Sequence, residues 1–206
     1  MCRATPPPAL LVLLLFVPLL SVAQRSGIGI KGGMLASHIR SGAYTSQYIP
    51  GATVGIYAPL LGSARFELQP EVLFTALGSG HTSPEGERYS VRTLYLQVPL
   101  SAKVYFTNAI NVQAGVQASM LISAQQNDAG DATDITESYR PDEVALVLGA
   151  GADLRTGLDL TLRYHNGMSP VLKDDDSLFP RNQALMLTVG YRIVSLKAPS
   201  IARRRR

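Results

Sequence analysis

The sequence has little cysteine and little charge. Its only cysteine is Cys2, in a segment that we expect to be removed on export, so we predict neither disulfides nor reactive thiols in the mature protein. Charged residues make up 17% of the chain, against about 25% in a typical soluble domain. Part of the protein is therefore expected to lack the charged exterior of a soluble domain.

Long apolar runs are also scarce, and the longest lies at the start of the chain. Arg3 precedes the run ALLVLLLFVPLLSVA, and Ser21 and Ala23 are small residues suited to a cleavage site. The run is too short for the about 20 residues of a membrane-spanning helix. We therefore predict a signal peptide over residues 1–23. A cysteine-free, glycine-rich exported chain is more typical of the bacterial envelope than of small disulfide-linked domains.

Excess positive charge is confined to the two ends of the chain. There are 19 Lys and Arg residues against 15 Asp and Glu, but five of the basic residues are Arg3 and the final run Arg203–Arg206. Without those five the net charge is −1, so nucleic-acid binding is not predicted. The mature chain has the size of one domain, which we place at residues 24–194, followed by a basic C-terminal tail at residues 195–206.

Signatures of catalysis are missing too. His38, His81 and His165 are scattered without metal-site spacing, and no GxSxG, HExxH or phosphate-binding loop is present. The stretch LGAGADL lacks the third glycine of a nucleotide-binding loop. Asp174–Asp176 could hold a cation together with loop carbonyls, but we interpret them as an exposed acidic loop. We therefore predict no enzyme activity, no metal and no cofactor.

What the sequence does contain is alternation. In YLQVPLSAKVYF, residues 95–106, apolar residues occupy every even position and mostly polar residues every odd position, which is the period of a β-strand. No helical period persists. The same alternation predicts eight strands, at residues 27–37, 52–60, 64–77, 88–106, 110–123, 143–154, 158–165 and 182–194.

The connections between these strands alternate in length. Long connections at residues 37–51, 78–87, 124–142 and 166–181 alternate with the short turns LGSA, TNA and RTG. Tight turns at one end and long loops at the other are the plan of an outer-membrane barrel. We therefore predict an all-β fold, an eight-stranded antiparallel up-and-down transmembrane β-barrel. An even number of strands would place both termini in the periplasm of a cell with an outer membrane.

The two faces of the strands indicate which side meets lipid. The polar positions are dominated by Gly, Ser, Thr, Gln and Tyr, which suit the crowded interior of an eight-stranded barrel. The apolar positions continue from Leu94 to Phe106, and at about 3.3 Å per residue and a tilt near 40° this covers about 30 Å. The alternative is a soluble lipocalin-like barrel with the apolar face inward, binding a lipophilic ligand.

Aromatic residues on the apolar face are predicted to form two girdles at the membrane interfaces. Those expected beside the short turns are Phe66, Phe106 and Tyr191. Those expected beside the long loops are Phe74 and Tyr164.

Charged residues on the polar face must pair inside the barrel, because an unpaired buried charge is costly. We predict that they form a network that fills the lumen. A proton or ion path, as in a narrow porin, is the alternative. The predicted network consists of Glu67, Glu71, Lys103, Asp153, Asp159, Arg163 and Arg192.

Seven motifs, taken in order, resemble those of the PorT-like outer-membrane β-barrel domain family of Gram-negative bacteria. They are GIKGGMLAS, LQPEVLFTALGSG, YLQVPLSAKVYF, GVQASMLISA, LGAGADL, LTLRYHNGM and LTVGYRI, and they span nearly the whole mature chain. The resemblance implies an eight-stranded outer-membrane barrel. Function in this family is mostly undefined, and for PorT itself it concerns a protein-secretion and gliding apparatus. Recognition by the barrel-assembly machinery is also implied, although Ile193 stands where the family has an aromatic residue.

We predict a non-enzymatic, monomeric outer-membrane protein that contacts lipid and acts through its external loops. Its predicted role is in envelope structure, adhesion or a complex with an envelope or secretion protein. The run Arg203–Arg206 is predicted to be a solvated tail, and binding to anionic lipid or a periplasmic partner is the alternative.

Overall fold

A computed structural model describes residues 27–41, 46–60, 65–82, 88–128, 131–173 and 179–195. The predicted signal peptide at residues 1–23, the acidic run Asp174–Asp176 and nearly all of the C-terminal tail lie outside these residues. Among the described residues no helix has the length and hydropathy needed to cross a membrane.

Nine antiparallel strands account for most of the described residues, and the strand sequences show the predicted alternation of apolar and polar side chains. Between β6 and β7 lies a short 3-10 turn, Thr136–Ser138. The strands are β1 Gly27–Arg40, β2 Gln47–Tyr57, β3 Phe66–Thr82, β4 Arg88–Tyr105, β5 Ile110–Asp128, β6 Asp131–Asp134, β7 Asp142–Asp153, β8 Leu158–Gly167 and β9 Arg181–Ser195.

Eight of the strands close into a ring. Each pairs with the next along the chain, β5 pairs with β7, and β9 returns to β1 in a register that runs from Gly27 opposite Ser195 to Arg40 opposite Arg181. The four-residue strand β6 lies outside the ring and pairs with the last residues of β5. The predicted eight-stranded antiparallel barrel is confirmed, and closure leaves its strands without an unpaired edge.

The apolar face of the strands points outward. On β4, Val98, Leu100 and Val104 are 48%, 43% and 44% exposed, whereas Gln97 and Lys103 are 1% and 0% exposed. Aliphatic side chains on the outside and polar ones inside are what a lipid-facing barrel requires. The alternative of a soluble lipocalin-like barrel is therefore wrong, because its apolar side chains would fill the interior.

The strands extend further than predicted at the end that carries the long connections. β3 continues to Thr82 and β5 to Asp128, each five residues beyond the predicted end, and β2 begins at Gln47 instead of residue 52. Backbone pairing continues there without regular alternation, because side chains above the lipid can meet water on either face. A β-bulge in β5, opposite Leu94 and Tyr95 of β4, marks the point where the regular alternation ends.

Candidate functional site

The interior of the barrel is organised in layers between its two ends. We call the end with the short connections at residues 106–109 and 154–157 the turn end, and the opposite end the loop end. The first residue of β1 and the last residue of β9 both lie at the turn end. Inward-facing side chains from all eight ring strands fill the space between the two ends.

An ionic network fills the half of the lumen towards the turn end, and Glu71 is one of its two centres. Arg163 donates from Nη1 to Glu71 Oε2 and from Nη2 to Oε1, each at 2.8 Å. Lys31 Nζ donates to Glu71 Oε1 at 3.1 Å, and Gln69 Nε2 donates to the same oxygen at 2.6 Å. All four side chains are almost fully buried. This carboxylate is therefore compensated by two cations.

Lys103 is the second centre of the network. Its Nζ lies 2.6 Å from Asp159 Oδ2, 3.3 Å from Asp153 Oδ2 and 4.0 Å from Glu67 Oε1. The Tyr105 hydroxyl lies within hydrogen-bonding distance of both Asp153 and Glu67 and can donate its single hydrogen to either carboxylate. A contact of 3.6 Å between Lys31 and Asp159 joins this centre to Glu71. The three cations and four carboxylates of the two centres thus form one connected cluster.

The structure joins six of the seven predicted network residues in this cluster, and Arg192 adjoins the cluster from the turn end. Arg192 is half-buried at the turn end, where it lines a pocket of 370 Å³ beside Asp153 and the turn residue Gly157. Sequence reasoning missed Lys31, which joins the two centres. Lys31 occupies an inward position of β1, so the alternation indicates that it faces the lumen but not which residues it contacts.

A second polar cluster lies further towards the loop end and was not predicted. His165 Nε2 lies 3.4 Å from Glu143 Oε1, and its Nδ1 lies 3.2 Å from Gln117 Nε2. Asn182 donates to Glu143 at 3.1 Å and to the Tyr95 hydroxyl at 3.4 Å. Glu143 and His165 both occupy inward positions of their strands, so the alternation could have identified them.

Apolar side chains close the lumen next to this second cluster. They come from four strands and are each at most 5% exposed, and Leu121 packs against them. We call this set the apolar plug. A solute on the barrel axis would have to displace both the ionic network and these side chains. The apolar plug consists of Leu35, Leu77, Tyr95, Ala184 and Met186.

A cap crosses the loop end of the barrel. Residues 135–141 run over the opening and are tied to the segment after β8, because Tyr139 forms a β-bridge with Leu172. Two further backbone bonds join Arg140 N to Val171 O at 2.9 Å and Lys173 N to Ser138 O at 3.1 Å. Apolar side chains of the cap and the wall pack together beneath it as a cluster of Ile39, Val91, Ala124, Tyr139 and Val171.

The cap and the barrel wall border a pocket of 600 Å³ that is open to solvent, and we call it the mouth pocket. In one of its walls the rings of His81 and Tyr89 stack 5.2 Å apart at an angle of 14°. Burial lowers the pKa of His81 from its usual value. The mouth pocket is lined by Ile39, His81, Thr82, Tyr89, Val91, Gln126, Ile135, Ser138, Tyr139 and Leu172.

All five predicted girdle aromatics are on the outer surface, with exposures between 40% and 71%. Phe66, Phe106 and Tyr191 lie towards the turn end, and Tyr164 lies three residues before the end of β8. Phe74 differs from its predicted position at a strand end, because β3 continues for eight residues beyond it.

Within the described part of the chain, no three His, Cys, Asp or Glu side chains are grouped in a way that would hold a metal ion. His38 instead lies against the ring of Tyr48, with centroids 4.1 Å apart. The other two histidines lie in the mouth pocket and in the second polar cluster.

The closed ring, the lipid-facing aliphatic side chains and the filled polar interior define a small transmembrane β-barrel. The chain belongs to the family described as outer membrane protein beta-barrel domain, whose model matches residues 22–173. The outer membrane is therefore its location. The narrower assignment to the PorT-like group stays a prediction.

Solved structures of similar fold come from several Gram-negative bacteria. Neisserial surface protein A is 13% identical with a TM-score of 0.55, and the match covers 82% of this chain and 99% of that one. Ail, the attachment invasion locus protein of Yersinia pestis, is 14% identical with a TM-score of 0.48 and the same coverage. OprG from Pseudomonas aeruginosa is 10% identical with a TM-score of 0.44, covering 82% and 97%. At such identities a likeness extends to the fold alone. No curated protein matches the sequence.

Proposed function

We propose that this protein is a non-enzymatic outer-membrane barrel with a closed lumen, and that it acts through its loop end at the cell surface. Its role would lie in envelope structure, adhesion or a secretion-associated complex, the last as the PorT-like resemblance implies. The observation that carries the proposal is the contrast between the lumen and the loop end. The lumen is packed with paired charges and an apolar plug, whereas the loop end has a hydrogen-bonded cap.

The proposed orientation places the loop end outside the cell and both termini in the periplasm. It is supported by the short connections at the turn end, since outer-membrane barrels keep tight turns on the periplasmic side. The outward-facing girdle would contact lipid, and Ile193, which is 59% exposed near the end of β9, would face the assembly machinery in place of an aromatic residue. We further propose that the barrel is a monomer.

Labelling of single cysteines tests this orientation. Thr133→Cys on β6 and Thr156→Cys in the turn before β8 are exposed positions at opposite ends of the barrel, and the only native cysteine is Cys2. On intact cells a membrane-impermeant maleimide should label Thr133→Cys and leave Thr156→Cys unlabelled until the outer membrane is permeabilised. The reverse pattern would show that the loop end faces the periplasm.

Conductance distinguishes the closed barrel from the narrow porin. The purified protein in a planar bilayer should produce no discrete open-channel steps in potassium chloride, because eight strands leave an interior that side chains fill. A well-characterised porin reconstituted in the same bilayers is the positive control. Reproducible unitary steps from the purified protein would contradict the closed lumen and favour the porin.

A further inference from the structure

The mouth pocket has the size of a ligand site. Its 600 Å³ lie within the range of about 300–1,000 Å³ that small-molecule pockets occupy. The pocket lies between the loop-end residues of β1, β3, β4 and β5 on one side and residues of the cap on the other, with Leu172 from the segment after β8 beside the cap. Its shape therefore depends on the Tyr139–Leu172 bridge that holds the cap over the opening.

Among the lining residues of the mouth pocket that the structure describes there is no Asp, Glu, Lys or Arg. His81 is the one titratable base among them, and burial lowers its pKa from the usual value, which disfavours its charged form. A charged ligand would lose hydration on entering without gaining an ionic partner, which is costly.

The arrangement of the lining favours a flat molecule. Ile39 and Val91 contribute aliphatic side chains, and the stacked rings of His81 and Tyr89 contribute aromatic surface. Hydrogen-bonding groups come from Gln126 and Ser138, among others. An apolar pocket with a few polar groups is the usual composition of a small-molecule site.

We propose that the mouth pocket binds a small uncharged molecule that has a flat apolar ring system and few polar groups. The apolar plug lies further into the lumen, so the molecule is held at the loop end and is not passed through the barrel. This inference rests on the proposed function, in which the loop end faces the outside of the cell and the lumen is closed.

Two fluorescent probes with the same rings test the proposal. N-phenylnaphthylamine is uncharged, and anilinonaphthalenesulfonate carries one added sulfonate. Each is titrated into the full-length barrel in lipid nanodiscs, with empty nanodiscs as the blank for partitioning into lipid. The uncharged probe should bind saturably and at least about tenfold more tightly than the sulfonate. Equal affinity for both probes, or no saturable binding above the blank, would overturn the proposal.

A pair of neighbouring substitutions locates the binding. Gln126 lines the pocket, whereas Gln125 is exposed on the opposite face of β5. Gln126→Trp should fill the pocket and weaken binding of the uncharged probe by about tenfold or more, while Gln125→Trp should bind like the unaltered protein. Equal binding by the two variants would overturn the assignment to this pocket.

A second pair keeps the test informative if Gln126→Trp does not fold, as judged by circular dichroism. Ser138→Trp changes a lining residue of the cap, and Glu137→Trp changes its exposed neighbour. The same difference in affinity is expected between them. Failure of the proposed function would be seen separately, as channel steps in the planar bilayer or as labelling of Thr156→Cys on intact cells.

Discussion

Replacing Glu71 by alanine should lower the free energy of unfolding by about 3–5 kcal/mol, because removing one partner leaves a buried charge uncompensated. The carboxylate receives two hydrogen bonds of 2.8 Å from Arg163 and one of 3.1 Å from Lys31, and it is 1% exposed. The measurement is reversible urea unfolding in lipid vesicles, followed by circular dichroism because the chain has no tryptophan.

Two variants serve as controls for the Glu71 result. Glu137→Ala makes the same change at an exposed position of the cap and should alter stability little. The double variant Glu71→Leu/Arg163→Met replaces the pair by apolar side chains of similar size and should recover much of the loss, since such replacements are often neutral. If Glu71→Ala is no more destabilising than Glu137→Ala, the interior is wet and the ionic network does not fill it.

Placing arginine at Leu100 should destabilise the barrel by about 2–4 kcal/mol, whereas the same substitution at Phe106 should cost about 0–1 kcal/mol. Both side chains face outward, with exposures of 43% and 71%. Leu100 lies halfway along the apolar run from Leu94 to Phe106, and Phe106 lies just beyond the end of β4 beside the short turn. The difference arises because a guanidinium near the bilayer midplane is far from water, while one at the interface is not.

Unfolding titrations of both variants in vesicles of the same lipid measure this difference. Both side chains are on the outer face of the same stretch of chain, so Phe106→Arg controls for the introduction of an arginine. The same experiment in short-chain detergent should reduce the difference, since a thin micelle brings water closer to Leu100. Equal destabilisation by Leu100→Arg and Phe106→Arg in vesicles would contradict a position of Leu100 near the bilayer midplane.

The face of each strand was predictable because the signal is local. Successive side chains point to opposite sides of any strand, so the alternation around Val98 and Gln97 reports directly on two environments. The barrel class followed from the same alternation together with the unequal connections. Both are properties of short stretches of sequence that do not depend on which strand pairs with which.

The pairing of charges was only partly predictable. Sequence reasoning placed Glu71 and Arg163 in the lumen, but the two residues are 92 positions apart in the chain. Their contact depends on how far adjacent strands are staggered around the closed ring. That stagger also brings Lys31 between Glu71 and Asp159 and leaves Arg192 at the turn end, neither of which alternation can show.

The sequence by itself determined the eight strands, their inner and outer faces and the outer-membrane class, because lipid and a narrow lumen impose a strict period on the side chains. Above the lipid that constraint ends, and the sequence there has no regular pattern to interpret. Only the tertiary structure decided that β3 and β5 extend further at the loop end, that Tyr139 bridges to Leu172 and that the mouth pocket forms beside this bridge. These features depend on contacts between loops that are far apart in the chain and that meet only when the barrel closes.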